Sequence, residues 1–264
     1  MARKPSGDRY GSRDHLPTST FQIERGSPEG IFTAMYPWLR SNVVYMEDDF
    51  ISDTISSTAH NLAADATATT FAWSAATGGS VAGSTGTTDN GYHALNGDVI
   101  WYGDKNCGME VRFKIDVVTG FTFEVGFTDA LTSEVLPAVT DVDTPATGNG
   151  ATDVAVIHLD TDQTLATAAF VSESTTTPYA AQKVNLGTWV PTAAVFYTYR
   201  VQLAGDNAYC AIFDASGNLV SSTNKSLSRA IEGGTAVRPH FLIGTRNTTA
   251  KATVLDLIRV WQDR

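Results

Sequence analysis

The sequence predicts an all-β sandwich behind an extended N-terminal arm, and three observations predict it. From about Asn42 onward, short runs of alternating apolar residues are cut by Gly, Asp, Asn and Thr, the pattern of strands joined by tight turns. The closing run, Val254-Leu255-Asp256-Leu257-Ile258-Arg259-Val260-Trp261, carries apolar residues on both faces, which suits a strand covered on both sides rather than a free edge. The first forty residues break the pattern: they are basic, rich in Gly, Pro and Ser, and end in Ile31-Phe32 and Met35-Tyr36-Pro37-Trp38-Leu39. The expected division is an arm over 1–41 and a β body over 42–264.

Taken in order, Gly7, Gly11, Pro17, Gly26, Pro28 and Gly30 interrupt any regular element in the arm. Asn42–Phe50 opens the body, and the small polar stretch Thr54–Thr70 allows one or two helical turns. Gly78–Gly91 is β-like with weak register. In Cys107–Val117 the residues Met109, Val111, Phe113 and Ile115 share one face, and Glu110, Arg112, Lys114 and Asp116 the other. Phe121, Phe123, Val125 and Phe127 alternate in the next run after a Val118-Thr119-Gly120 turn, so the two runs predict adjacent antiparallel strands with one wet face. Val154–Leu159 and Leu165–Ser172 form the next pair, and Thr175–Leu186 reads as a long loop. Ala204-Gly205-Asp206-Asn207 joins Phe196–Leu203 to Ala208–Asp214 as a hairpin. Leu219–Ser222, His240–Thr245 and Thr253–Trp261 complete the body.

The 264 residues, 42% hydrophobic and 17% charged, suit one large β domain and an extension. The net charge of −10 divides into +2 over residues 1–40 and −12 over the rest. An acidic body without a clustered basic face argues against nucleic acid as a partner. Cys107 and Cys210 lie in strand-like runs and are expected as free, buried thiols. The start, Met1-Ala2-Arg3-Lys4-Pro5, lacks the apolar core of a signal peptide, and no run approaches the ~20 apolar residues of a membrane span.

Candidate sites are few. Glu110, Asp116 and Glu124 match no paired-carboxylate spacing of a glycanase, so no catalytic residue is assigned and these acids are expected as solvated outer-face charges. His15, His60, His93, His158 and His240 form no sequence cluster typical of zinc. Glu47, Asp48, Asp49 and Asp256 could meet at a seam between first and last strands. Asp49 and Asp256 are the weak calcium candidates there, against turn capping and a salt link to Arg259. By period two Asp256 is the odd member of the apolar face of Val254, Ile258 and Val260, and it is expected to hydrogen-bond to backbone near Asp49–Phe50, so that its loss would cost a few kcal/mol. Trp73, Trp101, Tyr102, Trp189 and Tyr197 either stack on sugars or fill the core. Ile31, Phe32, Met35, Tyr36, Trp38 and Leu39 are costly to leave in water, at ~1.5–3 kcal/mol per large apolar side chain, and are expected to dock on a partner.

Three stretches carry a family resemblance. Asp48-Asp49-Phe50 looks like the opening of a first strand. Tyr199–Leu203 with Tyr209-Cys-Ala-Ile-Phe-Asp214 is similar to a central strand pair, and Val254–Val260 to a last strand. Over roughly 42–264 the chain thus resembles a concanavalin A-like (laminin G-like) jelly roll, and with its arm and Ser/Thr/Gly-rich loops it is similar to tailed-bacteriophage virion proteins. That resemblance implies a non-enzymatic capsid decoration (cement) protein of the virion, assembled in the host cytoplasm. Its partners would be the major capsid protein and other copies of itself, with no cofactor unless calcium. A glycan-binding adhesin or tail-fibre module is the alternative, and a polysaccharide-degrading enzyme a third reading, because the fold alone does not decide function.

Overall fold

The computed structural model describes residues 43–50, 55, 60–65, 67–74, 79–130, 137–141, 146–147, 150–163, 167–176 and 178–264, so the arm and its apolar strip lie outside the described residues. Two antiparallel sheets pack face to face. The first runs β16 (Lys225–Leu227), β15 (Asn207–Phe213), β14 (Tyr197–Ala204), β7 (Gly108–Ile115), β18 (Ala252–Asp263), β4 (Val81–Ser84) and β3 (Thr69–Trp73), with β1 (Val43–Asp48) pairing the C-terminal half of β18. The second runs β13 (Gln182–Asn185), β12 (Ala169–Ser174), β11 (Asp153–Asp160), β8 (Phe121–Thr128), β17 (Ala236–Thr245), β5 (Tyr92–Asn96) and β2 (Asn61–Ala64), with β6 (Trp101–Tyr102) on the start of β17. A small hairpin, β9 (Val139–Asp141) and β10 (Ala146–Thr147), stands apart. The architecture is the concanavalin A-like jelly-roll sandwich.

The core lies between the sheets and follows the alternation. Phe113 of β7 stacks on Tyr199 of β14 with ring centroids 4.4 Å apart, and meets Phe123 of β8 edge-on at 5.9 Å and Phe241 of β17 at 4.8 Å. Those contacts correct one expectation. β7 and β8 do not pair with each other: β7 lies between β14 and β18, and β8 between β11 and β17. The Val118-Thr119-Gly120 turn passes the chain from one sheet to the other, because the apolar faces of both strands bury more surface facing each other across the sandwich. Gly120 sits in the left-handed region at φ 56, and its carbonyl accepts the Arg246 N–H.

Other elements depart from the sequence reading. Asn61–Ala64 is strand rather than helix, since it pairs with β5 along its whole length. Part of the expected loop Thr175–Leu186 is strand β13 beside β12. Leu219 makes an isolated bridge with Phe213, followed by a 3-10 turn over Ser221–Thr223 rather than a strand. The Gly205-Asp206 hairpin forms as expected, with Ala204 paired to Asn207. Cys107 and Cys210 are free and buried, and burial pushes both thiols up in pKa.

The closing strand is flanked on both sides, by β7 and by β4 and β1, as its pattern predicts. The alternation within it is not uniform, however. A bulge between Leu255 and Leu257 makes Asp256 the extra residue, so Leu255 and Ile258 both face the core at 0% and 1% exposure. Asp256 is therefore not the odd member of a buried apolar face bonded to backbone near Asp49–Phe50. It lies on the outer face, where its carboxylate pairs with Arg112. The two side chains are 34% and 18% exposed, so solvent screens the pair. Asp256→Ala should cost only ~0.5–1 kcal/mol in urea unfolding, not the several expected for a buried network. A loss above ~2 kcal/mol would show the pair to be shielded.

Candidate functional site

The outer face of the second sheet carries a buried polar cluster that no sequence spacing announced. Period-two alternation aims Phe123 and Val125 inward and so turns Glu124 outward on β8. The register sets His158 of β11 directly opposite Glu124, and His240 of β17 one step along, opposite Gly126. Position 126 requires glycine, because a Cβ there would collide with the Ala155 carbonyl. His240 then reaches Glu124 diagonally, its Nε2 lying 2.8 Å from Oε2, while His158 Nδ1 lies 3.2 Å from Oε1. His240 Nδ1 faces Asn96 Oδ1 at 2.7 Å.

The face does not stay open. The chain leading into β9 crosses it, and Ala138 and Val139 pack with Val154, Val156, Ala169 and Val171 in a satellite core. From there the Ala138 N–H donates to Glu124 Oε2 at 2.8 Å and the Val139 N–H to Oε1 at 2.9 Å. Burial alone would raise the Glu124 pKa. Hydrogen bonds from His158 and His240, and their charge, outweigh that and hold the carboxyl well below its usual range.

This overturns the expectation that Glu110 and Glu124 are solvated charges. Glu124 is 0% exposed, and Glu110, at 4%, is paired with Arg200 and with Arg259 Nε at 3.3 Å. Asp116 alone of the three acids is exposed. The clue available in the sequence was that Glu124, His158 and His240 each interrupt an apolar run. Chemically, each Glu124 oxygen takes one imidazole and one backbone amide. The carboxylate is committed to holding the strap, with no lone pair facing solvent and, among the described residues, no second acid in the cluster.

At the end of the sandwich three loops meet through glycine. A Cβ on Gly103 would strike the Gly205 carbonyl, and one on Gly233 would strike the Asp104 carboxylate and lie 2.8 Å from Gly205 carbon. Gly205 N–H donates to the Gly103 carbonyl and Asp104 N–H to the Gly233 carbonyl, both at 2.9 Å. Asp206 Oδ1 accepts the Gly233 N–H at 3.0 Å. The junction presents exposed Asp104 and Glu232 with half-buried Asp206 and Tyr179. Desolvation, Asp206 and Glu232 raise the pKa of the Tyr179 hydroxyl.

The aromatic candidates separate. Trp101 is 3% exposed and belongs to the core, whereas Trp73 on edge strand β3 is 45% exposed. Trp189 packs edge-on against Tyr197 and Tyr199 at 5.4 and 5.8 Å, and Tyr102 lies beneath Lys105. The seam between β1 and β18 exists, with Arg259 3.5 Å from Glu47. Asp48 caps the Phe50 N–H at 2.9 Å and meets His60 at 3.3 Å, while Asp49 is exposed. Among the described residues no group of three or more His, Cys, Asp or Glu is placed to hold a metal ion, and no helix is long and apolar enough to cross a membrane. Ile31, Phe32, Met35, Tyr36, Trp38 and Leu39 all fall outside the described residues.

No family model and no curated protein matches the sequence. Solved structures do match the fold. A seed lectin of Lotus tetragonolobus aligns with TM-score 0.53 and 11% identity over 84% of this chain and 99% of the lectin. The exoplasmic/lumenal domain of VIP36, solved in a Ca2+/Man3GlcNAc-bound form, aligns with TM-score 0.54 and 9% identity over 80% of this chain and 86% of that domain. A glycosyl hydrolase family protein of Mycobacterium fortuitum aligns with TM-score 0.50 and 12% identity over 82% and 98%. At these identities the likeness establishes the lectin-like jelly roll and not an activity. Nothing among these matches supports the virion reading.

Proposed function

We propose that the protein is a glycan-binding module that engages carbohydrate at the three-loop end of the sandwich. The observation that carries this reading is the glycine-locked junction of Gly103, Gly205 and Gly233, which holds Asp104, Asp206, Glu232 and Tyr179 on rigid backbone at the surface. Sugar hydroxyls need fixed acceptors and an aromatic edge or face, and preorganised groups bind at lower entropic cost. The lectin neighbours support the same reading. A hydrolase neighbour keeps catalysis in view, but Glu124, the best-placed acid on the sheet face, is fully engaged under the strap.

The test is a glycan array followed by titration of the best hit. Tyr179→Ala and Glu232→Ala, both outside the core, should each weaken binding about tenfold, the ~1.4 kcal/mol expected for one good polar or stacking contact. Their melting temperatures should match the wild type. If no glycan binds the parent chain, or both variants bind unchanged, the reading fails. Turnover of a bound polysaccharide would favour the hydrolase alternative instead.

A further inference from the structure

We infer that the apolar strip 31–39 docks on the body of its own chain, on the outer face of the first sheet, over the row Tyr209, Gln202, Gly108, Trp261 and Tyr45. The register sets these residues side by side across β15, β14, β7, β18 and β1. Their chain neighbours Cys210, Val201, Met109 and Val260 belong to the core, so by alternation the row faces outward. A side chain on such a face ordinarily meets water. Trp261 does not. It is 1% exposed, and among the described residues its apolar cluster holds only Val43 and Tyr45 beside it.

The row also holds unmet donors. The indole of Trp261 lies over Gly108, where a Cβ would strike its six-membered ring, so the glycine makes the slot that lays the ring flat. Trp261 Nε1 and, across Gly108, Gln202 Nε2 have no hydrogen-bond partner among the described residues, although Gln202 is 2% exposed. Buried N–H groups are nearly always paired. Two of them in one row call for acceptors laid across it, which the carbonyls of a crossing backbone segment supply.

Chain length and charge identify the occupant. Arg40-Ser41-Asn42 alone separate Leu39 from Val43, the residue packed against Trp261. Fully extended, that link spans no more than ~14 Å, so Leu39 and Trp38 stay within reach of the row. Ser41 and Asn42 suit the reversal that turns the strip back over the sheet. Neither the strip nor the row carries a charge, whereas the next row, Arg200, Glu110, Arg259 and Glu47, is charged throughout. The tether keeps the strip at high effective concentration, and it brings no second acidic body alongside the first.

The experiment is limited chymotrypsin digestion of the full chain. Mass spectrometry reads the rate of cleavage after Phe32, inside the strip, against that after Phe21, which precedes it. In the parent, Phe32 should be cut at least ~tenfold more slowly than Phe21, because cleavage must wait for the strip to lift. The ratio should hold across a roughly hundredfold dilution, as a contact within one chain requires. Trp38→Lys on the strip and Tyr45→Lys on the seat should each bring the two rates to within about twofold of one another. Thermal melts check that the body stays folded; where Tyr45→Lys unfolds it, Tyr209→Lys in the same row takes its place. Equal rates in the parent overturn the proposal. So does protection that fades on dilution, which would assign the strip to a second copy, and so does protection that outlasts either substitution, which would seat it elsewhere. Glycan binding at the loop end is read separately and does not bear on this outcome.

Discussion

Replacing Glu124 with Ala should destabilise the body by ~3–5 kcal/mol, the cost of breaking a buried charged network by removing one member. The substitution leaves the Ala138 and Val139 amides without their acceptor and strands two imidazoles, at 1% and 2% residue exposure, beside an apolar methyl. Glu124→Gln should recover part of the loss, since one oxygen still accepts while the amide NH2 meets donors it cannot accept from. Urea unfolding gives the magnitude. Hydrogen exchange gives the cause: the amides of Ala138 and Val139 should exchange faster in Glu124→Ala by more than those of β7 in the opposite sheet. A loss below ~1 kcal/mol, or uniform exchange across both sheets, would mean that the satellite core of Val139, Val154, Val156 and Val171 holds the strap without the carboxylate.

That network shows where the sequence is legible and where it is not. The core strands could be read because alternation depends only on neighbours in the chain: Met109, Val111, Phe113 and Ile115 are all buried, as are Phe121, Phe123, Val125 and Phe127. The partners of a strand depend on register with segments far away. Nothing local in Val118-Thr119-Gly120 tells whether the turn stays within one sheet or crosses to the other. Glu124 looked solvated because a single sheet face opposite a core is normally wet. It is dry because residues near 138 return to cover it, and Glu124 and Ala138 are brought together only by the fold. Asp256 was misplaced for the opposite reason, a local bulge that shifts the alternation by one residue and that no residue type in Leu255-Asp256-Leu257 signals. The candidate site at the loop end was partly legible. Gly205-Asp206 is plain hairpin chemistry, but its contact with Gly103 and Gly233 joins three turns far apart in the chain.

Acid should weaken the fold through His93 more than through any surface carboxylate. The His93 ring stacks on Phe71 at 4.5 Å inside the sandwich, its Nε2 lies 3.2 Å from Thr253 Oγ1, and the residue is 0% exposed. Burial of the charged form lowers its pKa to about 3 from the 6.5 of a free histidine, with the Thr69 backbone opposing only weakly. The sign follows from proton counting. Between those two values the unfolded chain binds a proton at this site and the folded chain does not, so stability rises with pH there. The contribution is fully present above about pH 6.5 and is lost as pH falls toward about 3. At ~1.4 kcal/mol per unit, the site costs ~2 kcal/mol on going from pH 7 to pH 5, and more than double that by pH 3. His60, also lowered by burial but opposed by Asp48, acts in the same direction, so the wild-type slope alone does not isolate one ring. Urea unfolding of the parent and of His93→Gln at pH 7, 6, 5 and 4 does isolate it. The variant should be less stable at pH 7, having lost the stack on Phe71, yet lose less stability on acidification, so that the two curves converge by ~2 kcal/mol at pH 5. Parallel curves would show that the buried ring takes up its proton without opening the sandwich.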